Sequence, residues 1–323
     1  MIYFLIYFWK GLRILSFYEQ DNIELTTEEI ENCRHKSEKK WYGILLFINF
    51  AIIITVIAFC IINIHNYNTL PDTLKESFSD PSSYANVVIS PTSALSSFPT
   101  ELQLLLAGIV TIIAFPFGVN LYYAKYRSRA IKITENNFPE VYYNIAKYSH
   151  KLGLKRVPEA FLIQQNGVMN AFSAFIVRKQ YIEIDSDLFE IAYREYNDLE
   201  SINFIIAHEL AHIKYKHATF YYNLFIMFST VLPIIGSTAS RAREYSCDRL
   251  AQKVTGNNGV EAMFFLFAGK HLYKKIDVHD YINNSNDIKG FFVWCNNLVS
   301  SHPILPKRIR ALVKGEGSGD LYW

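Results

Sequence analysis

The chain has 323 residues, half of them hydrophobic and only 19% charged, with a formal net charge of +2. That length accommodates one large domain or two smaller ones with a real core, and so small a charge, without a basic stripe interleaved with aromatics, excludes a nucleic-acid partner. The apolar excess is gathered into runs, which points to membrane segments rather than a greasy globule. Four cysteines, Cys33, Cys60, Cys247 and Cys295, lie far apart with no Cys-x-x-Cys pair. Neither a disulfide framework nor a thiolate zinc site is expected, which fits a reducing compartment.

The opening stretch, MIYFLIYFWKGLRILSF, carries Lys10 and Arg13 after its apolar part and no small-residue cleavage site beyond it, unlike a signal peptide. It is too short to span, so an interfacial helix on a membrane surface is preferred to a buried soluble one. Residues 19 to 40 are polar and charged and read as a linker or short exposed helix, completing an N-terminal region at 1–41. Residues 42–64 run for 23 positions without a charge, the length a bilayer core asks of a helix. Residues 102–123 form a second charge-free run, in which Pro116 is tolerable for a membrane helix; a buried soluble helix is the alternative. Arg34, Lys36, Lys39 and Lys40 precede the first run and Lys125, Arg127, Arg129 and Lys132 follow the second, whereas the loop at 65–101 has only Lys75 among its Lys and Arg positions. The positive-inside rule then makes that loop external and turns residues 124–323 toward the cytoplasm, from a cell's inner (cytoplasmic) membrane.

Residues 138–152 have helical spacing. AFLIQ, NAFSAFIV and QYIEID follow as three short strands, with Gly167 and the pair Arg178 and Lys179 at the turns, in a small antiparallel sheet. Helical patterns resume at 203, again after 244, and around PKRIRALV near the end.

The stretch NFIIAHELAHIKYKH, 203–217, carries His208, Glu209 and His212. Residues four apart on a helix lie about 40° from alignment, so the two imidazoles project from one face one turn apart, as zinc ligands do. Glu209, about 100° round the helix from His208, is placed to act as a base on a water at the open side of the metal. The alternative is two satisfied core or surface histidines, and a zinc site needs a third ligand. The longer metzincin pattern does not supply it, because Tyr215 and Ala218 stand where Gly and His are required. His217 would be turned about 140° from the His208 and His212 face of a continuous helix, so it reads as a helix-end residue. A better partner lies in SRAREYSCDRLA, where Glu244 and Asp248 share a helical face. Glu244 would complete the zinc sphere and Asp248 would accept the outer N–H of a ligand histidine; the alternative is exposed pairs with Arg241, Arg243 and Arg249. Between the two motifs, 218–240 is uncharged and long enough for one crossing. One crossing would part the histidines from Glu244, and two need about 40 residues, so Asn223, Pro233 and Gly236 suit a membrane-dipping hairpin or a helix packed on the domain.

HELAH, SRAREYSCDRLA, NAFSAF and HPILPKRIRAL, together spanning 170–312, resemble the gluzincin membrane metallopeptidases that include the heat-shock protease HtpX and the CAAX prenyl proteases. The resemblance implies an integral-membrane α+β protein, mainly α with a small antiparallel β-sheet, in which two N-terminal transmembrane helices precede a zincin-like metalloprotease domain. It implies one Zn2+ per chain held by His208, His212 and Glu244 with Asp248 behind them, although Cys247 stands where such proteins commonly have alanine. A membrane hairpin is expected at 218–240, here in shortened form. By resemblance His302 and Arg308 join the catalytic set as stabilisers of the oxyanion; a His-Pro turn opening a final helix with a structural arginine is the alternative. Substrate is expected to add as a strand beside Asn170, Ala171 and Phe172. The expected activity is that of a membrane-bound zinc endopeptidase acting on protein or peptide substrates in quality control of misfolded membrane proteins, with the lipid bilayer as the other partner. The alternatives are a CAAX prenyl-type protease and a catalytically silent membrane scaffold or chaperone of the same fold.

Overall fold

A computed structural model describes residues 23–68, 100–164, 171–176, 179–191, 193 and 196–322. The expected interfacial helix, most of the external loop, and Gly167, Asn170 and Arg178 lie outside the described residues.

The segment before the first apolar run is not a free linker. Helix α1, Thr27–Asn32, is fixed at its start by reciprocal capping between Thr26 and Glu29. Its Ile30 is buried in the main core, Leu25 donates its N–H to the Lys151 carbonyl at 2.8 Å, and the Tyr215 hydroxyl donates to the Ile30 carbonyl at 2.7 Å. Helix α2, Glu38–Asn68, and helix α3, Thr100–Arg127, follow. Within them Glu38–Ile62 and Leu105–Lys125 are long and apolar enough to cross a membrane. A core helix of a soluble protein would bury such a stretch, but 0% of the second apolar window is buried and Phe47, Ile54, Ile113 and Phe117 stand exposed.

After the two-residue strand β1, Ile131–Lys132, comes the expected helix, α4, Pro139–Lys151. Strands β2, Glu159–Ile163, β3, Ala171–Ile176, and β4, Lys179–Asp185, complete a four-stranded sheet in the order β1-β2-β4-β3. The sheet is mixed, not antiparallel: β4 pairs antiparallel with β3 but parallel with β2. The reason lies in β4 itself, where Tyr181 to Asp185 are all buried. A strand covered on both faces belongs at the centre of a sheet, so β4 inserts between β2 and β3 and leaves β3 at the edge.

Helix α5, Ser186–Glu190, leads to the motif helix α6, Leu199–Lys214. The uncharged segment folds into two short helices, α7, Phe220–Phe225, and α8, Met227–Thr230, and then turns into α9, Ile235–Thr255. It doubles back against the membrane-length helices. Tyr222 stacks on Tyr42 with centroids 4.3 Å apart, Phe220 meets Phe115 at 5.6 Å, and the Phe228 N–H donates to Asn49 Oδ1 at 2.9 Å. Helices α10, Val260–Ala268, α11, Val278–Ser285, α12, Phe291–Val299, and α13, Leu305–Lys314, close the domain. Helices α6 and α9 lie side by side through the core, and β3 runs beside α6.

Candidate metal centre

Helix α6 starts where Asp198 caps it, accepting the Ser201 N–H at 3.0 Å and the Tyr273 hydroxyl at 2.7 Å. It ends with Lys216 in the left-handed region at φ 66, so that His217 N–H reaches the His212 carbonyl at 2.9 Å and Lys216 N–H the Ile213 carbonyl at 3.0 Å. That pairing is a Schellman closure. It turns His217 back over the helix end, which is why the angle for a continuous helix misjudges it.

The expected ligands converge. His208 Nε2 lies 3.2 Å from His212 Nε2; Glu244 faces both, its Oε2 3.4 Å from His208 Nε2 and its Oε1 3.4 Å from His212 Nε2. A tetrahedral zinc with arms of about 2.0–2.1 Å sets its ligand atoms roughly 3.3–3.4 Å apart, so the three donors have the spacing and chemistry of such a site. The alternative of exposed ion pairs is overturned, because Glu244 and Asp248 are 6% and 3% exposed. Of the arginines, Arg243 and Arg249 are half-buried, whereas Arg241 is 0% exposed and donates to the carbonyls of Leu298 and Ser300 at 2.9 and 2.8 Å. Arg249 holds the carbonyls of Ala311, Glu316 and Gly317.

Behind the ligands, His208 Nδ1 meets Asp248 Oδ1 at 2.9 Å. Arg308 grips the same carboxylate with Nε and Nη2, both at 2.7 Å. Burial alone would raise the Asp248 carboxyl, but Arg308 and His208 hold it down at about 2. Burial disfavours a charged His208, yet Asp248 and Glu244 push it up to about 10 in the absence of metal. Arg308 is thus committed to Asp248, with its Nη2 also 3.5 Å from Glu244 Oε2. His302 is on the open side, 63% exposed in its side chain, with Nε2 3.6 Å from Glu244 Oε2. The loop that carries it is tied down by Arg241, a residue that local spacing does not single out.

Glu209 is 7% exposed on the same helix as the two histidines. Cys247 is fully buried, and burial pushes its thiol well up, so it packs as a neutral group. None of the four cysteines forms a disulfide. Of the expected substrate strand, Ala171 and Phe172 form the start of edge strand β3, paired with Ile184 and Glu183 of β4.

The profile of peptidase family M48 matches residues 135–230 and 220–316, together more than half of the chain. The overlap falls in the apolar segment that holds α7 and α8. No curated protein matches the chain closely enough to be named as a relative.

Proposed function

Because the chain belongs to peptidase family M48, whose members are generally zinc-dependent metallopeptidases, we propose that it is a membrane-bound zinc endopeptidase that cleaves misfolded or loosely structured membrane proteins. The observation that carries this reading is the triangle of His208 Nε2, His212 Nε2 and a Glu244 carboxylate at 3.2, 3.4 and 3.4 Å. Bound zinc would lower the pKa of a water toward neutrality and polarise a peptide carbonyl. The chain's own residues supply the rest. Glu209 takes the proton of the attacking water and returns it to the leaving amine. Asp248, clamped by Arg308, keeps His208 in the tautomer that presents Nε2 to the site. His302, from the open side, donates to the oxyanion. The edge of β3, which pairs with no second strand among the described residues, offers backbone hydrogen bonds to an extended substrate without reading its sequence, which suits a quality-control protease.

Two exposed apolar helices of spanning length support the membrane reading. So does the apolar segment: its contact at Asn49 lies about 16 Å along α2 from Glu38 by helical rise, while His217 is level with Glu38. The active site would then sit at the cytoplasmic surface of the bilayer, over a short dipping hairpin.

The test is zinc content of the detergent-purified protein alongside casein digestion by the wild type and Glu209→Gln. One zinc in each protein with cleavage by the wild type alone is the expected result. Zinc without cleavage would favour the silent scaffold, and absence of zinc after its addition would remove the reading.

A further inference from the structure

The two candidate ligand histidines have different supports. His208 is backed directly by a carboxylate, Asp248. His212 is backed by another histidine: its Nδ1 lies 3.1 Å from His217 Nδ1, and His217 Nε2 lies 3.1 Å from Glu38 Oε1. With His212 Nε2, which faces His208 and Glu244, given to the metal, that nitrogen carries no proton and the hydrogen atoms of the chain follow. His212 Nδ1–H donates to His217 Nδ1, and His217 Nε2–H donates to Glu38. Glu38 also accepts from Ser246 Oγ and from Arg34, and Arg34 lies over the Tyr215 ring at 4.1 Å. All of this is enclosed, with His217 and Glu38 side chains 3% and 4% exposed.

We infer that Glu38, the first residue of the first membrane-length helix, is a positioning residue for the metal centre, acting through His217 to fix the tautomer and ring orientation of His212. Both ligand histidines then lead to a carboxylate held by an arginine: Asp248 with Arg308, and Glu38 with Arg34. The consequence is mechanical as well as chemical. A displacement of α2 at its start moves an outer support of the zinc site, so the membrane anchor and the catalytic centre form one unit. Nothing in the local sequence around HELAH contains this link, since Glu38 and His217 are 179 positions apart.

The inference rests on the zinc reading above, and its test separates the two. Full-length wild type, Glu38→Gln and Glu38→Ala in detergent are compared for zinc dissociation constant by chelator competition and for the visible d–d spectrum of the cobalt-substituted protein. Metal-free melting temperature monitors the fold. Gln keeps an oxygen that accepts the His217 N–H; Ala does not. Glu38→Ala is expected to weaken zinc binding about 10- to 100-fold, the usual effect of losing an outer partner of a ligand, and to shift the cobalt bands, with Glu38→Gln recovering most of both. Wild-type affinity and spectrum in Glu38→Ala would overturn the inference, as would equal impairment of Gln and Ala, which a loss of charge or packing would produce. His212, His217 and Cys247 are themselves near enough to hold an ion; a second zinc equivalent in the wild type, lost in Cys247→Ser, would also overturn it. A wild type that binds neither zinc nor cobalt removes both readings at once.

Discussion

At the scale of residues, the decisive feature is how tightly charge is balanced around His208. Its ring sits between two carboxylates, Glu244 and Asp248, and the latter is shared with Arg308. In the metal-free protein this arrangement raises His208 from the ordinary 6.5 to about 10. A raised pKa stabilises the fold fully below about pH 6.5 and loses that contribution as the pH climbs toward about 10. Zinc needs the neutral ring, so its affinity rises over the same interval. Zinc uptake near about pH 7.5 should therefore release about one proton per site. Calorimetric titrations in buffers of different ionisation enthalpy would show this as a slope of apparent enthalpy; a flat line would mean that His208 is already neutral. The ligand positions themselves follow from helical spacing, because two histidines four apart, or Glu244 and Asp248 four apart, share a face whatever surrounds them.

At the scale of elements, two backbone turns set the site. The first is the end of α6, where Lys216 adopts φ 66 and His217 folds back onto His212. The sequence has a lysine, not a glycine, at this left-handed position, so the usual signal for the turn is missing. The second is the entry to α9. A methyl group on Gly236 would lie 2.1 Å from the Thr230 carbonyl oxygen, so this glycine is what lets the hairpin close. Gly236→Ala is expected to cost about 1–3 kcal/mol as the hairpin opens, and to lower zinc affinity because Glu244 lies about two turns along the same helix. Gly43→Ala, with nothing within 4 Å of the added carbon, is the silent comparison. Equal melting temperatures for the two variants would remove this account of the hairpin. The sheet illustrates the opposite limit of local reasoning: three strands were legible from alternation and turn residues, but which of them pairs with which depended on the burial of both faces of β4.

At the scale of the whole molecule, the helices α2 and α3, the apolar hairpin and the metal centre form a connected body in which the site is level with Glu38. In the proposed orientation, which rests on the charge asymmetry of the flanks, 65–101 lies outside. With the native cysteines replaced, Ser82→Cys is expected to react with a membrane-impermeant maleimide in intact cells, and Lys289→Cys only after permeabilisation. Labelling in the reverse order would invert the orientation, and labelling of both in intact cells would contradict the two spans.

The sequence by itself determined the candidate ligand pairs, the length of the two apolar helices and, given those ligands, the argument against a single crossing at 218–240, because each is a matter of helical pitch or chain length over neighbouring residues. Only the tertiary structure decided what stands behind those ligands. Asp248 needs Arg308, 60 positions away, and Arg241 reaches the loop before His302. His212 reaches Glu38 only through a turn closed by a left-handed lysine. The physical reason is burial: charged groups taken out of water must find partners, and those partners are supplied by packing between elements rather than by periodicity within one.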